Sequence, residues 1–265
     1  MTVTLLWDPL FRDPLLVGLV LSPLAAVLGC WLRVRDEWLA CLGYTHAAGA
    51  GGVLAAAIHV PMLPAAMAAA CAAGGVKAAL GRVGNEAFAV MLLSGWSVAL
   101  LLAANHPRAD VVGRVFLDGQ ILFASRDQLW VALGVAVIAL ASLPVLSPRL
   151  LRQRFQPAHH RANRRTHWAS GLAFDLLVVL SMAVCSMAMG VMAAFAMVLV
   201  PAWIAWRLAR GWHMTLWLSA GLAVIAYLCA FLLAILLDQP FGPVMVAVLL
   251  TCLPLRLFSR PGASV

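Results

Sequence analysis

Long apolar segments alternate with short polar connections along almost the whole chain. A helix that crosses the hydrocarbon core of a bilayer needs about 20 mostly apolar residues. Nine segments approach that length: 14–33, 38–58, 63–82, 86–104, 128–147, 168–187, 190–207, 213–236 and 240–257. The pattern predicts an all-α fold, a polytopic integral membrane helix bundle with eight or nine spans, organised as a single domain over residues 1–265. Segment 63–82 is mostly Ala and Gly, and small residues allow close helix approach, so we expect it inside the bundle.

One long polar stretch, Ser147–Trp168, interrupts this pattern in the middle of the chain. It reads SPRLLRQRFQPAHHRANRRTHW, with six arginines and no acid. Lys and Arg resist translocation, so a basic loop between two spans belongs on the cytoplasmic side. Two roles fit this composition. The loop can fix topology and contact anionic membrane lipid, or it can bind a soluble partner.

The other basic residues agree with one orientation of the chain. With the N-terminus outside and the C-terminus cytoplasmic, few of the 18 Lys and Arg residues lie outside. These are Arg12, Arg108, Arg114 and Arg126. This asymmetry is the positive-inside pattern, and it favours an odd number of spans. The net charge of +8 is therefore a feature of topology, and we expect no nucleic-acid partner.

Two connections have distinctive sequences. Segment 107–127 is moderately apolar but is interrupted by charges, so we predict a re-entrant or interfacial element on the outer side. It ends in Ser125-Arg126-Asp127-Gln128, a capping-box pattern that would begin the next helix. Between the last two segments, Asp238-Gln239-Pro240-Phe241-Gly242-Pro243 predicts a tight turn.

The composition and the missing motifs argue against several classes of protein. With 64% apolar and 11% charged residues, the chain is not a soluble protein. The only lysine, Lys77, is followed by Ala78, so no P-loop is present and the chain lacks that means of using ATP. No H-E-x-x-H, G-x-S-x-G or close Cys/His metal spacing occurs. A membrane-embedded enzyme would have to use His46 and Asp175, which lie at different depths with no nucleophile beside them.

The clearest candidate for chemistry within a span is His46, which follows Thr45 in segment 38–58. Polar side chains inside the membrane are costly, so they commonly have a role. A neutral imidazole can bind a transition metal. The alternative is a hydrogen bond between helices made by His46 or Thr45. The sequence leaves both interpretations open.

Several short motifs occur in an order that resembles one family. They are Thr45-His46-Ala47, Asn85-Glu86-Ala87-Phe88, Gly119-Gln120-Ile121-Leu122 with Ser125, the run from Gly190 to Pro201, and Asp238-Gln239-Pro240-Phe241-Gly242-Pro243. Together they resemble the permease subunits of ATP-binding cassette importers for zinc, manganese and iron-type metals. The resemblance covers residues from about 15 to 255.

This resemblance implies a transport subunit rather than an enzyme. It implies a divalent metal as cargo, zinc first and then manganese or iron, with His46 as a transient metal contact and Thr45 beside it on the pathway. It also implies a homodimer of permeases in a bacterial inner membrane, an extracytoplasmic metal-binding protein, and a cytosolic ATPase subunit that binds the ATP. No cofactor is then expected on this chain. Loop 147–168 becomes the element that couples to the ATPase, through Phe155, Arg161, Arg164 and Arg165.

Two departures from the family pattern affect the expected cargo. The family's aspartate before the histidine would fall near Cys41 or Leu42, and neither carries a charge. In the cytoplasmic loop Phe155 is kept, but the family's acid after it is replaced by Gln156 and its glycine is absent. A metal chelate or another small solute is therefore the alternative cargo.

Overall fold

The computed structural model describes residues 9–81, 84–119, 121–155 and 168–258, and these are helical with short connections. We number the α-helices in chain order: α1 Pro9–Arg35, α2 Ala40–Ile58, α3 Met62–Leu80, α4 Asn85–Asn105, α5 Pro107–Asp118, α6 Arg126–Phe155, α7 Trp168–Met189, α8 Val191–Leu208, α9 Trp212–Leu237 and α10 Phe241–Thr251. Short 3-10 helices follow α5 at Ile121–Phe123 and α10 at Leu253–Phe258.

Eight of the described helices are long and apolar enough to cross a membrane, namely α1 to α4 and α6 to α9. A helix satisfies its own backbone hydrogen bonds, which a lipid environment requires of any spanning segment. The predicted polytopic helical fold is therefore confirmed. The ninth predicted segment, 240–257, is shorter in the structure, because the 11 residues of α10 continue only as a 3-10 helix.

Helix α1 lies near the centre of the bundle, where it contacts α6, α7, α8 and α9. Polar side chains of α9 form hydrogen bonds with the backbone of α1. The Tyr227 hydroxyl donates to the carbonyl of Pro14 at 2.9 Å, and the Ser219 hydroxyl donates to the carbonyl of Ala26 at 3.2 Å. These buried bonds hold α9 on α1 at two levels, which is how polar side chains join helices where no water competes.

Helix α3 does not lie inside the bundle, so that expectation is wrong for a single chain. Its buried face consists of Ala66, Ala70, Gly74 and Lys77, and most of its other residues are partly or fully exposed. Small residues do allow close packing on that one face, where α2 comes so near that a Cβ added to Gly51 would lie 2.5 Å from the Ala69 Cβ. The remaining faces of α3, and most of α4, are left uncovered by this chain.

The polar stretch 147–168 is helical in its first part. Helix α6 continues through Phe155, eight residues beyond the predicted end of the span at 147, because Leu150 is buried and Leu151 packs against the core. Helix α7 then begins at Trp168. Arg161, Arg164 and Arg165 lie outside the described residues, and the role of this stretch in coupling stays a prediction.

Segment 107–127 contains the short helix α5 and the 3-10 helix Ile121–Phe123. Helix α5 has only 12 residues, too few to cross a bilayer, and it contacts α2, α4, α7, α8 and α10. The predicted capping box is present: Gln128 N–H donates to the Ser125 hydroxyl at 3.4 Å, and Ser125 N–H donates to the Gln128 side chain at 3.3 Å. The membrane side of this segment stays a prediction.

Candidate functional site

His46 lies in the first half of α2 and is almost completely buried, with 3% of its surface exposed. Its Nδ1 lies 2.9 Å from the carbonyl oxygen of Leu42, one turn earlier in the same helix. A carbonyl oxygen only accepts hydrogen bonds, so Nδ1 carries the proton and Nε2 keeps its lone pair. A histidine that binds a metal commonly donates its other ring N–H to a carbonyl in this way. His46 thus has the tautomer that a ligand through Nε2 needs.

Thr45 is also buried, and its hydroxyl donates to the same Leu42 carbonyl at 3.0 Å. Among the described residues, the hydrogen bonds of Thr45 and His46 therefore stay within α2. The Thr45 hydroxyl has given its proton to the backbone, so only its oxygen lone pairs remain for another contact. The structure does not test either residue as a metal contact, and these roles stay predictions.

The helix turn that carries His46 is covered by α4 at Gly95. A Cβ added to Gly95 would lie 2.7 Å from the carbonyl carbon of His46, so only glycine permits this approach. The position one turn before His46 is Leu42, which supplies no carboxylate. Within the part of the chain that the structure describes, no three His, Cys, Asp or Glu side chains gather into a metal site. His46 therefore offers a single ligand rather than a closed site.

A groove of about 700 Å³ runs beside this turn between α2, α3 and α4. Its lining is almost entirely apolar, and it includes Ala47 and Gly95, which flank the backbone of His46. Lys77 and Ser94 are the polar side chains along it. The groove opens onto the faces of α3 and α4 that this chain leaves uncovered, so its outer wall must come from lipid or from another protein.

Near one end of the groove, four charged residues form what we call the ionic cluster: Arg35, Glu37, Lys77 and Asp175. The Lys77 ammonium lies 2.8 Å from Glu37 Oε2 and 2.7 Å from Asp175 Oδ1. The Arg35 guanidinium contacts the same two oxygens at 3.0 and 3.1 Å. The cluster has two charges of each sign, and this balance allows Lys77 and Asp175 to be buried.

The ionic cluster joins separate parts of the fold. Arg35 ends α1, Glu37 lies in the connection to α2, Lys77 is in α3, and Asp175 is in the second turn of α7. Arg35 also donates to the carbonyl of Gly171 in α7 at 3.4 Å. Helix α7 is the one that follows the basic stretch 147–168, so the cluster connects the chain after that stretch to the helices that line the groove.

Aromatic side chains complete the surroundings of the two cations. The Lys77 ammonium lies 5.4 Å from the ring centre of Phe88, and the Arg35 guanidinium lies 5.0 Å from that of Phe174. A desolvated cation over an aromatic face gains further stabilisation.

Asp175 is paired with charged side chains from other helices, Lys77 of α3 and Arg35 of α1. His46 and Asp175 do not form the paired acid and base that an enzyme would require.

Two motif glycines meet at the other end of the bundle. Gly119 (φ 72°) and Gly190 (φ 86°) both adopt a left-handed backbone, which favours glycine. A Cβ added to Gly119 would lie 1.9 Å from the carbonyl oxygen of Met189 and 2.9 Å from the nitrogen of Gly190. The loop after α5 therefore packs directly on the joint between α7 and α8, and this contact explains both glycines structurally.

The remaining motif residues also have structural positions. Pro201 is buried within α8. The predicted turn after α9 is present: Asp238 ends α9 with a left-handed backbone (φ 51°), Pro240 precedes α10, and Gly242 is buried in its first turn. Gln120 lies outside the described residues. Among the described motif residues, no contact identifies a ligand.

Comparison with known proteins gives consistent matches over nearly the whole chain. The model of a family described as the ABC 3 transport family matches residues 8–259. A manganese transport system membrane protein, MntC of Halalkalibacterium halodurans, is 24% identical over 262 residues, which cover 96% of this chain and 88% of that protein.

Two solved structures share the fold. One is PsaBC from Streptococcus pneumoniae in complex with a Fab, with a TM-score of 0.84, 16% identity, and coverage of 98% of this chain and 95% of the other. The second is described as an inward-facing conformation of a putative metal-chelate type ABC transporter. Its TM-score is 0.77 at 14% identity, with coverage of 94% and 85%. At these identities the likeness concerns the fold alone.

Proposed function

The chain belongs to the ABC 3 transport family, and we propose that it is the permease subunit of an importer that moves a divalent transition metal across a bacterial inner membrane. Zinc is the first candidate, followed by manganese or iron. Imidazole suits zinc, whereas manganese prefers the carboxylate oxygens that position 42 lacks. The relative from H. halodurans, named as a manganese transport protein, keeps manganese as the second candidate.

The observation that carries this proposal is the arrangement of His46. The buried ring donates Nδ1–H to Leu42 and keeps Nε2 unprotonated, and the next residue, Ala47, lines the groove. One imidazole without a neighbouring carboxylate binds an ion weakly. Weak binding suits a pathway, because an ion that must leave again cannot be held tightly.

We propose that a second copy of the chain covers the open side of the groove. Helix α4 is little covered by its own chain, and its exposed surface includes Ser94, Trp96 and Ser97. A second copy on α3 and α4 would close the groove beside His46 and give these side chains a protein neighbour. Such pairing would place the pathway between two permeases. A groove left open to lipid would not guide an ion.

ATP hydrolysis in this proposal takes place on a separate cytosolic ATPase. The stretch 147–168 is its docking element, with Phe155 at the end of α6 and Arg161, Arg164 and Arg165 beyond it. A movement of this stretch would act first on the start of α7. The ionic cluster would pass that movement to α3 and to the end of α1, because Asp175 contacts Lys77 and Arg35. Lys77 in turn contacts Glu37 in the connection before α2. ATP on the partner thereby shifts a two-state element of the permease.

The orientation follows from the basic residues. The proposal places the N-terminus outside and the basic stretch and the C-terminus in the cytoplasm. Segment 107–127 and the turn at Asp238 then face outward, where an extracytoplasmic metal-binding protein would deliver the ion. The tight contact of Gly119 with Met189 supports this site for such a partner, because it fixes the loop after α5 on the joint between α7 and α8.

A metal chelate is the second candidate cargo. The apolar lining of the groove and the absence of an acid at position 42 both favour a ligand whose charge is already masked. A bare divalent ion would find few oxygen ligands there. The volume of about 700 Å³ is within the range that accommodates small organic ligands.

Uptake by proteoliposomes that contain the permease and its ATPase, with the extracytoplasmic metal-binding protein supplied on the opposite side, tests the function. Radioactive zinc, manganese and iron are offered as free ions and as chelates, with ATP supplied on the ATPase side. We expect ATP-dependent uptake of free zinc. Uptake of chelates alone would replace the free-ion proposal with the second candidate, and ATP-independent permeation or no uptake of any form would contradict both.

A further inference from the structure

At the end of the bundle that carries the ionic cluster, a different group of side chains gathers that the proposed transport does not use. We call it the arginine–tryptophan cluster: Arg33 at the end of α1, Trp203, Trp206 and Arg207 at the end of α8, and Arg256 in the last 3-10 helix. The Arg256 guanidinium lies 3.7 Å from the ring centre of Trp203, and the Arg33 guanidinium lies 5.5 Å from that of Trp206.

The stacking fixes the planes of two guanidinium groups without pairing either charge with a carboxylate among the described residues. Neither Arg33 nor Arg256 forms an ion pair with a carboxylate in residues 9–81, 84–119, 121–155 and 168–258. The Nε of Arg256 is buried and has no hydrogen-bond acceptor there. Arg33 and Arg207 are both close enough to act electrostatically on Arg256. Positive charges from α1, α8 and the last 3-10 helix thus converge at this end of the bundle.

The position of the cluster indicates what kind of anion it meets. All three arginines lie at the ends of apolar segments, the level at which hydrocarbon gives way to headgroups, and tryptophan is enriched at that level. Next to Arg256, Leu255 and Leu257 are exposed, the latter to 83%. A single short segment therefore presents leucines to an apolar phase and a guanidinium to an anion. An anionic lipid offers acyl chains for the leucines and a negative charge for the guanidinium, whereas a free anion offers only the charge.

We propose that the arginine–tryptophan cluster binds the phosphate of an anionic phospholipid. The Arg33 and Arg256 guanidinium groups donate to the phosphate oxygens, Trp203 and Trp206 hold these groups in place, and the acyl chains lie against Leu255 and Leu257. Arginine suits this role because its planar fork matches the oxygens of a phosphate. The bound lipid would join α1, α8 and the C-terminal segment. This site is distinct from the stretch 147–168 and does not depend on the proposed cargo.

Native mass spectrometry of the purified permease tests the site. The protein is titrated with phosphatidylglycerol and, separately, with phosphatidylcholine, and the double variant Arg33→Gln/Arg256→Gln is compared with Arg108→Gln/Arg126→Gln. Arg108 and Arg126 are exposed and begin elements at the opposite end of the bundle. Each arginine near an anionic lipid surface contributes about fivefold in affinity, so the first variant should bind phosphatidylglycerol about 30-fold more weakly. The control should bind it like the wild type.

Two further measurements distinguish a lipid phosphate from a free phosphate and from an acidic protein surface. Inorganic phosphate at millimolar concentration should not displace the lipid, because it lacks the apolar contacts with the leucines. Displacement would identify a free-anion site.

Copurification of the ATPase should be the same for the wild type and the double variant. Equal phosphatidylglycerol affinity in the two variants would overturn the lipid site, and loss of the ATPase with unchanged lipid binding would assign the cluster to a protein interface. Melting temperatures in phosphatidylcholine confirm that each variant is folded.

Discussion

The ammonium of Lys77 lies 2.7 Å from the carboxylate of Asp175, although 98 positions separate the two residues in the chain. Lys77 is 4% exposed, so its charge depends on this contact and on Glu37. The pair connects α3, on the open side of the groove, to α7, which follows the basic stretch. This contact links the helix that follows the basic stretch to one of the helices that line the groove beside His46.

Removal of one partner from this pair should destabilise the protein strongly. Lys77→Met leaves the buried Asp175 and the partly buried Glu37 with only Arg35, and an uncompensated buried charge costs about 3–5 kcal/mol. In Lys77→Met/Asp175→Asn the charges balance again, so the loss in the free energy of unfolding should be smaller than the sum of the two single losses. Denaturant titration in detergent micelles measures these values.

The pair between Arg12, whose side chain is 41% exposed, and Asp13, 3.3 Å away, is the control for the charge change. Arg12→Gln should cost less than about 1 kcal/mol, because solvent screens this pair. Additive effects of the Lys77 and Asp175 substitutions, or a Lys77→Met protein as stable as the wild type, would contradict the role given to the ionic cluster.

Gly119→Ala should prevent correct packing of α5 against the joint between α7 and α8. The new methyl group would meet the carbonyl of Met189, and the left-handed backbone adds strain, so we expect a loss of about 2–5 kcal/mol in stability. Gly134→Ala is the matched control, since a Cβ there meets nothing within 4 Å. Size-exclusion chromatography of fluorescently tagged proteins measures the folded fraction. If the two alanine variants give equal folded fractions, the close contact is not needed.

The long helices could be predicted from the sequence, whereas the contacts between them could not. The apolar run 213–236 is enough to predict α9, because length and composition decide whether a segment can span a bilayer. The capping box at Ser125 is local in the same way, and it is present. The ion-pair partners of Lys77 and Glu37 depend on which helices become neighbours. The sequence around each residue therefore did not reveal the ionic cluster.

The candidate site was predictable only in part for the same reason. His46 was identified because a histidine within an apolar segment is unusual, but the hydrogen bond that determines its tautomer depends on the helix backbone. The place of α3 was predicted wrongly because its composition of small residues indicates close packing without indicating how many faces are packed. Only the face with Ala66, Ala70 and Gly74 is buried in the single chain.

The proposed orientation predicts which positions a membrane-impermeant thiol reagent reaches. In a background without the six native cysteines, Arg108→Cys should react from outside in intact cells. His160→Cys should react only after the membrane is opened, because it lies in the basic stretch that resists translocation. Labelling of position 160 in intact cells would contradict the topology and the docking role of the stretch together.

The basic stretch should be needed for assembly with the ATPase. Arg161→Glu/Arg164→Glu/Arg165→Glu reverses the charge of its centre, so a complementary acidic surface would be repelled. We expect the permease to reach the membrane at normal abundance but to lose the ATPase on copurification. Arg149→Glu, on the helical part in α6, is the comparison variant and should retain more of the partner. Unchanged copurification and transport in the triple variant would reduce the stretch to a topology signal.

The central claim, that the ion passes His46, is tested most directly by zinc uptake into proteoliposomes with the variant His46→Asn. Asparagine keeps a polar group of similar reach but lacks the imidazole, and Thr45→Ser keeps the neighbouring hydroxyl as a control. Loss of residues that only support a metal ligand costs 10–100-fold, so loss of the ligand itself should reduce uptake at least about tenfold at equal abundance. Thr45→Ser should transport like the wild type. Normal zinc and manganese uptake by His46→Asn would contradict the account.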